Sequence, residues 1–152
     1  MENGPLLTDI GLTLLRSELR PMYGVATERR RVPARQERLI DVGGVDGREN
    51  LGQAIIMRLL TPRGELSELA HPEYGSRLHE LIGRQNTETT RNLVKLFILE
   101  SLQAEPRIEE VLEVAVEPTR GRRDSVSVLL RVKPLDAAQA LTVGPFALDL
   151  ER

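Results

Sequence analysis

Residues 105–150 read EPRIEEVLEVAVEPTRGRRDSVSVLLRVKPLDAAQALTVGPFALDL, and this stretch decides the fold. Pro106 ends any helix that precedes it, because proline lacks a backbone donor and drives the residue before it out of the α region. Three alternating runs follow. In the first, Leu112, Val114 and Val116 alternate with Glu113, Ala115 and Glu117. In the second, Val126, Val128, Leu130 and Val132 share one face, and Ser125, Ser127, Arg131 and Lys133 the other. In the third, Leu141 and Val143 lead to Phe146, Leu148 and Leu150, with Gly144-Pro145 breaking the period, so a bulge, bend or split is expected there. The period of two predicts an antiparallel meander over 108–150 with one face on helices. The last run stops almost where the sequence does. Its outer edge is therefore expected to stay uncovered, a hazard in a free protein and a docking site in an assembly.

Upstream, Leu93, Leu96, Phe97 and Leu102, with Val94 and Ile98, make a broad apolar stripe at helical spacing over 86–104. Asn86 is the expected N-cap, and Glu88 lies in the first turn, where a negative charge meets the positive end of the dipole. An earlier helix is expected over 46–61. Leu51, Ile55 and Leu59 recur every four residues, Asp46 and Glu49 have capping-box spacing, and Pro62 stops the helix at Thr61. Between the helices, Pro62-Arg63-Gly64 and Tyr74-Gly75 are turn signals. Residues 64–72 read as a strand pair or a loop, and Leu78–Ile82 as a helical turn stopped by Gly83.

Together these make an α+β domain over 46–152, two main helices packed on a small antiparallel C-terminal sheet. Residues 1–45 read as an extended N-terminal arm. Leu6, Ile10, Leu12 and Leu14 fall mostly on alternate positions, and Val42-Gly43-Gly44 marks a boundary. From Arg29 to Arg38 the arm carries five arginines, and with Glu28 and Glu37 its local charge is +3. That is a solvated surface or a clamp on an acidic neighbour.

At 152 residues the chain is most simply one domain with extensions. Its 40% apolar and 29% charged residues are those of a folding chain rather than a disordered one. A net charge of −2 gives no global attraction to nucleic acid or membrane. Of 21 basic side chains only Lys95 and Lys133 are lysines. A GC-rich genome explains that bias, and so does the fit of guanidinium forks to carboxylates across interfaces. With no cysteine, disulfides and thiolate chemistry are excluded. With Tyr23, Tyr74, Phe97 and Phe146 as the only aromatics, no platform for stacking bases or sugars is expected. The first residues lack the basic start and apolar run of a secretory signal, and apolar runs such as Leu96–Leu99 fall far short of the ~20 residues that span a bilayer. The expected place is the cytoplasm during assembly.

Catalytic patterns are thin. His71 and His79 lie eight apart across Pro72 and Gly75, which is not a metal-ligand spacing on a helix. Ser76 has no Gly-x-Ser-x-Gly elbow, and no phosphate-binding glycine loop occurs. Glu100 and Glu105 are the best carboxylate pair for a glycan hydrolase, but five residues apart on a helix they diverge. No enzyme activity, cofactor, metal or small-molecule substrate is expected. Glu105-Pro106-Arg107 admits two readings: a plain helix stop, or a rigid carboxylate and guanidinium held for bidentate bonds to a partner.

Three blocks sharpen the second reading. They are Asn50-Leu51-Gly52-Gln53-Ala54 through Arg58-Leu59-Leu60-Thr61-Pro62-Arg63-Gly64, then His71-Pro72-Glu73-Tyr74-Gly75-Ser76-Arg77-Leu78, then Glu105-Pro106-Arg107-Ile108. In this order they resemble the GPW/gene-25-like baseplate family of contractile phage tails and phage-tail-like injection systems, over about 46–150. The resemblance implies a sheath initiator, present in six copies around the tail axis. It implies that Glu105, Pro106 and Arg107 contact the helical bundle of baseplate wedge proteins. It also implies that the C-terminal strands template the first sheath ring by strand exchange, with Val126, Val128, Leu130, Val132, Phe146, Leu148 and Leu150 on the sheath-binding elements. The sheath and wedge proteins are the implied partners, with the tail tube or spike hub as a further candidate and no nucleic acid. A chain cut before Leu141 is expected to keep its helical part and lose sheath growth. Some family members carry a lysozyme label, which no residue pattern here supports. The alternative, from the residues alone, is a generic adaptor that binds an acidic partner or nucleic acid through Arg29–Arg38.

Overall fold

Alternating sequence at the N-terminal end gives strands that pair with one another. The computed structural model describes residues 9–16, 22–25, 27–31, 38–42, 44–45 and 47–150. Six short strands come first: β1 (Asp9–Ile10), β2 (Leu12–Arg16), β3 (Met22–Val25), β4 (Thr27–Arg31), β5 (Arg38–Val42) and β6 (Gly44–Val45). They form three antiparallel ribbons, with the β1–β6 pair closing the base of the β2–β3 and β4–β5 hairpins. The arm is thus doubled back on itself. Two-stranded ribbons bury little, and Ile10 and Val25 remain more than half exposed. Leu6, the tip of the Arg29–Arg38 segment and the capping residue Asp46 lie outside the described residues.

The side chain of Gln53 ties the root of the ribbons to the next element, α1 (Gly47–Leu60). The Leu12 N–H donates to Gln53 Oε1 at 2.7 Å, and Gln53 Nε2 donates to the Ile10 carbonyl at 2.9 Å. The amide therefore replaces one rung of a neighbouring strand, across the buried Gly11. At the start of α1, Arg48 donates to the carbonyls of Gln139 and Ala140. Leu51, Ile55, Leu59 and Leu60 face the core.

Residues 64–72 form turns and a 3₁₀ helix over Ser67–Leu69, and a second 3₁₀ turn over Leu78–Leu81 buries Leu78 and Leu81. α2 (Glu88–Leu102) is capped by Thr87, not Asn86. Thr87 has the extended backbone that a cap needs, and its hydroxyl accepts the Thr90 N–H at 3.2 Å. Asn86 instead donates to the Ser125 carbonyl at 3.2 Å and accepts from Arg91 at 2.9 Å, fastening the helix start to the sheet. The buried face of α2 is Thr90, Val94, Phe97, Ile98, Ser101 and Leu102. Leu96, expected inside, is 55% exposed. The helix is rotated so that Thr90 and Ser101, whose hydroxyls find partners, go in.

The sheet has the order β7 (Ile108–Pro118), β8 (Ser125–Pro134), β9 (Leu141–Asp149), antiparallel throughout. The α+β layout holds, with α2 lying against β7. β7 carries two register shifts, and the second, between Val111 and Glu113, turns Leu112 out to 45% exposure. Val111 and Val114 pack on the core in its place. In β9 the register shifts opposite Val128 and Leu130, at the cis Gly144-Pro145 step. Gly144 has φ +99°, and a Cβ there would collide with the Val128 carbonyl. The end of β9 is fastened: Leu150 N–H donates to Asp124 O, and the Leu150 carbonyl accepts Gly83 N–H, both at 2.7 Å. Val143, Leu148 and Leu150 are core residues. A cut before Leu141 would therefore strip the core, contrary to the expectation of an intact helical part.

Candidate functional site

The site is assembled where α1 ends, α2 ends and β7 begins. After α1, residues 61–63 run beside Tyr74–Ser76. Arg63 N–H donates to Ser76 O at 2.9 Å, and Ser76 N–H donates to Thr61 O at 2.8 Å. Gly75 makes that approach possible: at φ +107° a Cβ would run into the Thr61 carbonyl. Ser101 Oγ on α2 donates to Gly75 O at 2.9 Å, and Ser76 Oγ donates to Leu59 O. Tyr74 and Arg77 are thereby held on either side of a clipped segment.

Around this clip lies a lattice of guanidinium groups and carboxylates. Arg58, on the last turn of α1, is turned inward and only 8% exposed. Its guanidinium lies over the Tyr74 ring, 4.6 Å from the centroid, and donates from Nη2 to Glu105 Oε2 at 3.4 Å. Glu105 is 5% exposed. Its Oε1 accepts Arg107 Nε at 2.7 Å and the Arg107 backbone N–H at 3.3 Å. Burial pushes the Glu105 carboxyl up, but the hydrogen bonds and charge of Arg107, with the charge of Arg58, outweigh it and hold the group below the usual glutamate range. Burial raises the Tyr74 hydroxyl, with Arg58 opposing and Glu105 reinforcing. A second, more open cluster lies alongside. Glu100 pairs with Arg63 at 2.6 Å and Arg77 at 3.7 Å, and Arg77 also makes two 2.9 Å bonds to Glu80. The Arg77 guanidinium covers Phe97 at 4.4 Å.

Glu105 and Arg107 thus come together, with Pro106 exposed between them. The other assigned residues divide. Val126, Val128, Leu130 and Val132 are 0% exposed on the central strand, whose two edges are both hydrogen-bonded. They hold the core, and both edges of their strand are paired within the chain. Leu148 and Leu150 are also buried, and Phe146 is partly buried; β9 presents its outer backbone edge rather than these side chains.

Arg58, Arg63, Tyr74 and Arg77 were not singled out as a site by their sequence alone, and Glu100 was weighed only as half of a carboxylate pair with Glu105. Arg58 carried a signal: with Leu51 and Ile55 it occupies the i, i+4, i+7 row of α1, where an apolar side chain belongs. His79 Nδ1 lies 3.2 Å from the Ser76 carbonyl, and His71 is exposed. Glu100 and Glu105 are each committed to different arginines, and the depressed Glu105 is the opposite of a proton donor. Among the described residues, no cluster of three or more metal-binding side chains occurs, and no helix is long and apolar enough to cross a membrane.

No family model matches the sequence, and no curated protein matches it. Among solved structures, the fold is similar to a crystal structure of a Geobacter sulfurreducens protein provisionally named a tail lysozyme. The TM-score is 0.56 at 25% identity, over 66% of this chain and 90% of the other. Spread over nearly the whole of that chain, the likeness supports a tail-protein family of the kind that the three sequence blocks resemble.

Proposed function

We propose that this chain is a structural part of the baseplate of a phage tail or contractile injection system, joining wedge proteins to the sheath and templating the first sheath ring by strand exchange. The observation that carries the reading is the corner. Segments as distant in sequence as Arg58, Tyr74 and Arg107, each within a block that resembles the gene-25-like family, meet in one ion-paired cluster. The likeness to a tail protein supports the same reading. On it, the corner bearing Pro106 and Arg107 meets the helical bundle of wedge proteins. The sheath meets the outer edges of β7 and β9, where each backbone bond to an added strand contributes about 1 kcal/mol net. Six copies around the tube make modest joints avid, and the tube or spike hub lies within reach of the ring. The role is constructional, with assembly in the cytoplasm and no catalytic step.

Cross-linking tests it cleanly because the chain has no cysteine. Thr142→Cys on β9 and Glu117→Cys on β7 each place a single thiol on an exposed position. In assembled particles at least one should couple to the sheath protein through a short bifunctional reagent. Particles in which neither thiol reaches a sheath chain would remove strand templating from the reading.

A further inference from the structure

The two arginines that share Glu105 lack a second negative charge, and we infer that the partner supplies it: one Asp or Glu side chain, received by the Nη groups of Arg107, completes the cluster. This rests on the wedge-contact reading above and states what that contact consists of. In the open cluster, Arg63 and Arg77 are matched by Glu80 and Glu100. In the buried cluster, Arg58 and Arg107 have Glu105 alone. Among the described residues no other carboxylate pairs with either. Arg58 is the worse placed, because it is buried and its Nε has no hydrogen-bond partner. A guanidinium in low dielectric that shares its counter-ion leaves a net positive field at the corner.

The geometry gives that field a direction. Both oxygens of Glu105 are occupied, Oε2 by Arg58 and Oε1 by Arg107, and the carboxylate faces inward. As a donor, Arg107 uses Nε and its backbone N–H; its two Nη groups meet no acceptor among the described residues, and its side chain is 20% exposed. Pro106 fixes the backbone beside it. The free end of the fork therefore points out of a rigid corner. A planar two-oxygen acceptor of charge −1 fits it in charge and shape. A single carboxylate is the match, not a broad acidic surface, because the neighbouring arginines are already neutralised. Arg107 is the contact residue, and Glu105 is a positioning residue that acts through it.

The experiment measures binding of the full chain to the wedge protein of the same particle. Arg107→Lys keeps the charge but loses the fork, and should weaken binding about tenfold. Arg107→Glu should abolish it, and one Asp→Arg or Glu→Arg reversal on the wedge protein should restore it. Glu105→Gln should weaken binding as Arg107→Lys does, and Glu105→Asp should recover part of the loss, with thermal melts checking that each variant is folded. If Glu105→Gln does not fold, the same comparison is read on Glu105→Asp against wild type, where the shorter side chain shifts the fork and lowers affinity. If Arg107→Glu abolishes binding and no reversal restores it, the partner carboxylate is wrong while the wedge contact stands. Full-strength binding by Arg107→Glu, or by Glu105→Gln, overturns the inference. A wild-type chain that never binds the wedge protein overturns the wedge-contact reading itself.

Discussion

Arg58 stands where the spacing of Leu51 and Ile55 calls for an aliphatic side chain, and it is tolerated because Tyr74 covers its face and Glu105 takes its charge. Removing that charge with Glu105→Gln leaves two guanidinium groups without a counter-ion, one of them buried, and should destabilise the fold by about 3 kcal/mol in urea unfolding. The penalty should depend on pH. The folded state holds the Glu105 proton less readily than the unfolded chain, whose glutamate value is about 4.3, so the carboxylate stabilises the fold above that value. As pH falls through the depressed folded value, the unfolded chain gains the proton first and the stabilisation is lost. Melting temperatures of wild type and Glu105→Gln should therefore converge in acid and separate toward neutrality. Arg107→Ala removes a partly exposed partner and should lower stability by no more than about 1 kcal/mol. Gly75→Ala is a harsher change, because both its φ and the Thr61 carbonyl forbid a side chain; a loss of about 3 kcal/mol is expected from the same unfolding measurement.

Within α2, the helix and the apolar part of its buried face were legible, since Val94, Phe97, Ile98 and Leu102 go in, and the polar part was not. The apolar stripe is broad, and Leu96 at its margin lies on the solvent side. Thr90 and Ser101 look polar in a pattern, yet both are buried because each hydroxyl has a partner: Thr87 for one, the Gly75 carbonyl for the other. Ile98→Ala should cost about 2–5 kcal/mol, whereas Leu96→Ala should stay within about 0.5 kcal/mol. Thr87→Ala should cost about 1 kcal/mol as a lost cap, read from the same denaturation curves. In β7 the alternation of Leu112, Val114 and Val116 concealed an inserted residue, since a bulge changes which side chains face inward without changing the run itself. Gly144-Pro145 was readable because glycine and proline advertise the irregularity that Leu112 does not.

For the molecule as a unit, the two helices and the three-stranded meander followed from period and punctuation, and Glu105-Pro106-Arg107 could be seen as a rigid pair. What surrounds that pair could not, because Arg58, Tyr74 and Arg107 are brought together by tertiary packing across nearly fifty residues of chain. The place of the second strand was legible too: a meander of three strands puts the second at the centre, and here it is central. Among the described residues, the N-terminal ribbons join the helical core at two points, the covalent step into Gly47 and the grip of Gln53 on Ile10 and Leu12. One attachment would leave a swivel. Two leave a lever, so torque applied at the far end of the ribbons turns α1 with it, and Gln53→Ala would convert that lever into a slack tether whose backbone opens to limited proteolysis.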